Sequence, residues 1–139
     1  MTRRAPFAAL ALAWLAACDG EQQQARRADA ARLLRSIEQL RDAPNAAKAE
    51  LLERLEGQAC SEPVPCELKS QCVQSYRTHV SAGRRIDAAR RALAPEASAE
   101  DLGAAAAATR AAQAELQQAQ PGIRRCTERS AELRRRIGG

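Results

Sequence analysis

Apolar residues return at steps of three and four over most of this chain. From Glu21 to Arg41 there is neither Gly nor Pro, and Ala30, Leu33, Ile37 and Leu40 form a single stripe. That spacing predicts an amphipathic helix, with Asp19 or Gly20 at its start. Ala43-Pro44-Asn45 interrupts the run. Ala47, Leu51 and Leu55 then continue in nearly the same phase, and Gly57 is a natural stop. The pattern predicts one kinked helix, or two collinear ones, over residues 21–57.

Gln58 to Pro65 reads as a loop, because Pro63 and Pro65 oppose regular helix. A second helix is expected over 66–94, with Cys72, Tyr76, His79, Gly83, Ile86 and Leu93 on one heptad seam and Pro95 ending it. Ser98 followed by Asp101 is a capping-box variant that opens a third helix over 99–137. This last helix carries the clearest pattern. Leu102, Ala105, Thr109, Ala112, Leu116, Ala119, Ile123, Cys126, Ser130, Leu133 and Ile137 alternate steps of three and four without a fault. The phase survives Pro121-Gly122, which predicts a kink there and no domain boundary. Short connections make neighbouring helices antiparallel. The expected fold is therefore all-α, an elongated antiparallel three-helix bundle or coiled coil occupying residues 21–137.

Composition sharpens this picture. Hydrophobic residues make up 45% of the 139, yet aromatics are only 2%, and Ala supplies most of the rest. Beyond residue 17 Tyr76 is the sole aromatic. A core of Leu, Ile, Val and Ala suits closely packed helices better than a sandwich or a pocketed α/β fold. The formal charge is +5, and it is +3 without Arg3 and Arg4. That mild excess and the lack of stacking aromatics argue against a nucleic-acid partner.

The first residues have a different character. Met1 to Arg4 are positive, Phe7 to Ala17 are apolar, and Leu15-Ala16-Ala17-Cys18 closes the stretch. These are the features of a secretory signal, and the run is shorter than the roughly 20 residues that cross a bilayer. Leu15-Ala16-Ala17-Cys18 resembles the lipobox of bacterial lipoproteins, a resemblance covering only residues 1–18. It implies diacylglycerol on the Cys18 sulfur, cleavage that removes residues 1–17, residues 18–20 as anchor and tether, and a chain held on the periplasmic side of a membrane. Asp19 resembles the inner-membrane retention signal of enteric bacteria. Arg3-Arg4 hints at twin-arginine export, although Phe7 is not at the usual offset.

Four cysteines then remain, Cys60, Cys66, Cys72 and Cys126. An even number in a small exported domain predicts two disulfides. Cys66 and Cys72 lie six apart on one predicted helix, about 9 Å in rise, beyond the roughly 7 Å that a bridge tolerates. Two pairings are left: Cys72–Cys126 with Cys60–Cys66, or Cys66–Cys126 with Cys60–Cys72. The first is favoured, because Cys72 and Cys126 both sit on apolar seams.

No Cys-x-x-Cys, G-x-S-x-G or Gly-rich phosphate loop occurs. Cys72 and His79 are about 10 Å apart along a helix, too far for a zinc pair. His79, the only histidine, reads as a packed imidazole beside Tyr76. No catalytic residue, metal or cofactor is expected. Arg124, Arg125, Arg129, Arg134, Arg135 and Arg136 form the most basic stretch. It reads either as a solvated face with pairs such as Arg124–Glu128 and Glu132–Arg136, or as an anion contact through Arg134, Arg135 and Arg136. The functional expectation is a membrane-anchored, non-enzymatic scaffold or interaction module, with envelope proteins or its own copies as partners. The alternative is a basic module for an anionic envelope polymer or membrane surface.

Overall fold

A computed structural model describes residues 8–93 and 97–138, with side chains from Gly20 onward. Residues 1–7 and the side chains of 8–19, Cys18 among them, lie outside that description. Four α-helices and no strand are present among the described residues: α1 (Ala8–Asp42), α2 (Asn45–Gly57), α3 (Pro63–Ala92) and α4 (Ala99–Gly138). No helix among them is long and apolar enough to cross a membrane.

The segment expected as one kinked or collinear helix is instead a helical hairpin. Pro44 has no N–H to continue the ladder, and its extended backbone (φ −63°, ψ 152°) ends α1 and starts α2. The Ala43 N–H still donates to the Gln39 carbonyl at 3.1 Å, and the Ala47 N–H to Pro44 at 2.9 Å. Lys48 then reaches back across the turn, its Nζ donating to the Leu40 and Arg41 carbonyls at 2.8 Å each. These are last-turn carbonyls that α1 leaves without internal partners, and a cation is favoured at that end of the helix. At the far end of the hairpin Gln58 and Ala59 lie against Asp29 and Arg32. So α2 runs back along α1, and the three expected helices become four. Gly20 lies inside α1, not at its start.

The prolines of the expected 58–65 loop also sit differently. Pro63 and Pro65 occupy the first turn of α3, where a missing N–H breaks no helical bond. The loop is accordingly shorter, and the Cys66 N–H donates to the Glu62 carbonyl at 3.0 Å. The capping box at the start of α4 forms as expected. The Asp101 N–H donates to Ser98 Oγ at 3.1 Å, and the Ser98 N–H donates to Asp101 Oδ2 at 3.0 Å. α4 passes through Pro121 as a single helix of 40 residues, about 60 Å long.

α3 and α4 pack antiparallel over their length: Arg129 lies on Glu67 and Gln71 near one end, Cys126 on Cys72, and Arg85 on Glu115 towards the other. The α1–α2 hairpin covers the half that carries the disulfides. There Leu33, Leu34, Ile37 and Leu40 of α1 join Leu52, Leu55, Leu68, Val73, Tyr76 and Leu133 in one buried cluster. Each such Leu or Ile contributes roughly 1.5–3 kcal/mol. The other half, here the arm, is an α3–α4 pair whose buried seam is nearly all Ala: Ala82 and Ala89 facing Ala105, Ala112 and Ala119.

The buried seam of α4 is the expected one, but its two heptad positions are unequal. Ala105, Ala112, Ala119, Cys126 and Leu133, seven apart, are all buried. In the alternating set Thr109, Leu116 and Ile123 are half-buried and Leu102 is exposed. On α3 the expected seam is corrected. Cys72 and Tyr76 are buried, whereas His79, Gly83 and Ile86 are half-buried and Leu93 is exposed. Leu68, Ser75, Ala82 and Ala89, again seven apart, take their place. Small residues at that repeat let the two backbones approach closely. At Gly122 an added Cβ would stand 2.3 Å from Ser75 Oγ and 3.1 Å from Ser75 Cβ.

Candidate functional site

Three groups of side chains stand out, and the first is the cysteines. Cys72 joins Cys126 with a Cα separation of 5.1 Å, and Cys60 joins Cys66 at 5.5 Å. The favoured pairing is the one in the structure. Cys72 and Cys126 are 0% and 1% exposed and lie inside the Leu-rich cluster. They join α3 to α4 within the base, before the large side chains give way to Ala along the arm. Cys60–Cys66 closes the short loop between α2 and α3, clamping Glu62 and the first turn of α3. Glu62 in turn receives Arg26 of α1 at 3.1 Å.

The second group surrounds Lys48, a residue that the sequence pattern does not single out. Its side chain is buried with Leu52 and Leu55 on the inner face of α2, and its Nζ lies 5.7 Å from the Tyr76 ring centroid, a cation–π contact. Burial pushes the Lys48 ammonium below its usual range and the Tyr76 phenol above it. His79 packs edge-on to Tyr76 with centroids 6.5 Å apart, the packed imidazole expected. Its Nε2 faces Asn45 Oδ1 at 3.4 Å, and its Nδ1 is buried without a partner among the described residues. Since Asn45 Oδ1 accepts, Nε2 carries the proton and Nδ1 a bare lone pair. Protonating Nδ1 would place an unpaired N–H beside the Lys48 charge. Burial first, and Lys48 second, hold the His79 pKa below its ordinary value.

This arrangement has a pH consequence. A histidine held neutral in the fold contributes stability that is complete above its unfolded pKa, about 6.5. That stability is lost as pH falls through the lower folded value. Between pH 7 and pH 5 the wild-type melting temperature should therefore fall more steeply than that of His79→Gln. Equal slopes would show that His79 does not sense the Lys48 environment.

The third group is the arginine run. Arg134 pairs with Glu38 of α1 and Arg136 with Glu132, while Arg129 pairs with Glu67 at 2.9 Å. Arg135, Arg124 and Arg125 are exposed and have no ion-pair partner among the described residues, so the expected Arg124–Glu128 pair does not form. The run is thus partly used in fastening α4 to α1 and α3, through solvent-screened pairs that contribute little each. The structure brings the four cysteines together as two bridges but does not bring Arg134, Arg135 and Arg136 together as one anion cradle. Among the described residues no three of His, Cys, Asp and Glu converge as metal ligands.

No protein-family model, no curated protein and no solved structure matches the chain.

Proposed function

We propose that the chain is a lipoprotein, held on the periplasmic face of a membrane through diacylglycerol on Cys18. Its role is that of a non-enzymatic interaction module that presents the α3–α4 arm. In this reading α3 and α4 form an antiparallel coiled coil, and the α1–α2 hairpin is the base that ties it to the anchor. The observation that carries the reading is the division of the body into the Leu-rich cluster around Cys72–Cys126 and the Ala-lined seam beyond it. One half is a Leu-rich base, and the other is a long arm in which α3 and α4 pack on each other through Ala82, Ala89, Ala105, Ala112 and Ala119. The second reading, a basic module for an anionic polymer, is less favoured because Arg134 and Arg136 are already paired with Glu38 and Glu132.

A photo-crosslinking residue placed on the arm at Ala108, and in a separate variant at Arg135, tests the choice. Discrete protein adducts are expected from Ala108 in intact cells and not from Arg135. Salt-sensitive pull-down by peptidoglycan or anionic vesicles, lost in Arg134/Arg135/Arg136→Gln, would instead favour the second reading.

A further inference from the structure

The two disulfides differ in access. Cys72–Cys126 is sealed in the Leu-rich cluster and offers no surface for attack. Cys60 and Cys66 are only half-buried and lie outside that cluster. Cys60 also lines a groove of about 170 Å³, with Asp29 and Arg32 of α1 on one side and Ala59 and Ser61 on the other. A thiol in solvent can therefore reach this sulfur.

The surroundings of the two sulfurs differ as well. Cys66 stands in the first turn of α3, and that end of a helix favours a thiolate. Cys60 Sγ lies 3.8 Å from the Glu62 carbonyl oxygen. The partial negative charge of that oxygen opposes a thiolate at Cys60 and accepts from a neutral thiol.

We propose that Cys60–Cys66 is a site of thiol–disulfide exchange whose substrate is a dithiol, with Cys60 the sulfur attacked and Cys66 the sulfur that leaves. The inference goes beyond the interaction-module reading and holds whatever the arm binds. One thiolate of the dithiol bonds to Cys60 Sγ, the Cys60–Cys66 bond breaks, and its electron pair departs on Cys66, which takes a proton. The second thiolate of the dithiol then attacks the dithiol's own sulfur in the mixed disulfide and displaces Cys60, which is protonated in turn. The dithiol is oxidised to a disulfide, and the bridge, having gained two electrons and two protons, becomes two thiols. The attacked sulfur is the one that the groove exposes. The departing sulfur is the one whose thiolate the helix stabilises, and such a leaving group departs faster.

Opening this bridge is a local event. It closes only six residues of chain against 54, so its loss frees the unfolded chain less. Lys69 keeps its hold on the Glu56 and Gln58 carbonyls, and Cys72–Cys126 keeps α3 on α4. The segment released is Ala59 to Glu62, which lies over Ala30 and Leu33 of α1 and holds Arg26 through Glu62 at 3.1 Å.

The test uses the oxidised protein purified from cells, kept native, titrated with dithiothreitol, alkylated and mapped by peptide. Cys60 and Cys66 should become alkylated together at a dithiol concentration at least about tenfold below the one that opens Cys72–Cys126. Glutathione, a monothiol, should give an adduct trapped on Cys60 with Cys66 free. Once the bridge is open, amide hydrogen exchange should quicken over residues 59–66 and stay unchanged around Cys126. Opening of both bridges at the same dithiol concentration, an adduct on Cys66, or exchange that also quickens around Cys126 would overturn the proposal.

Discussion

Replacing Cys72 and Cys126 together by alanine should destabilise the domain by about 4 kcal/mol, against about 2 kcal/mol for the Cys60/Cys66 pair. The first bridge spans 54 residues of chain and the second only six, so the first restrains the unfolded chain more. Its position compounds the effect. On the arm side of Cys72–Cys126 the α3–α4 seam is Ala82, Ala89, Ala105, Ala112 and Ala119, and each Ala buries little area at about 25 cal/mol per Å². Without the bridge, Leu68, Val73, Tyr76 and Leu133, with the half-buried Val80, Ile123 and Ile137 at the edge of the cluster, are the large side chains that hold α3 and α4 to the base. Thermal melts should show the larger shift for the Cys72/Cys126 variant, with much helical signal kept at low temperature. A larger shift from Cys60/Cys66 would contradict the assignment of the brace.

Cys18→Ala should release the protein from the membrane almost completely. Each buried methylene contributes about 0.8 kcal/mol, one acyl chain binds marginally, and two or more hold stably. Nothing else among the described residues substitutes for a diacylglycerol. No helix there can cross a bilayer, and two of the basic C-terminal side chains are engaged with Glu38 and Glu132. Detergent-phase partitioning should carry the wild type into the detergent and leave the variant in water or unprocessed. A variant that still partitions like wild type would remove Cys18 as the anchor.

The features of this fold that were legible in the sequence share one property: their signal is local or strictly periodic. The stripe Ala30, Leu33, Ile37 and Leu40 is buried as its spacing requires, Ser98 and Asp101 form their box, and the seven-residue step from Ala105 to Leu133 faces α3 throughout. Cys72 and Cys126 met because both lie on faces that pack. What escaped was direction. The stripe Ala47, Leu51 and Leu55 keeps its phase across Pro44 whether the chain continues or turns back; in the hairpin the buried face of α2 is Lys48, Leu52 and Leu55, and Ala47 and Leu51 are half-buried. The first turn of α3 escaped because a proline is as acceptable there as in a loop. Lys48 escaped because its role depends on the reversal: only a hairpin brings its Nζ to the end of α1. On α3 the large residues at His79, Ile86 and Leu93 outweighed Ser75, Ala82 and Ala89 in the pattern. Close helix approach selects the small ones.

Where the mature chain begins, and what its first residue carries, decides the lipoprotein reading and with it the placement of the arm. Mass spectrometry of the N-terminal peptide of membrane-purified protein reads both at once. The expected peptide starts at Cys18 and bears a diacylglyceryl group on its sulfur. A peptide starting elsewhere, or at Cys18 with an unmodified thiol, would contradict that reading.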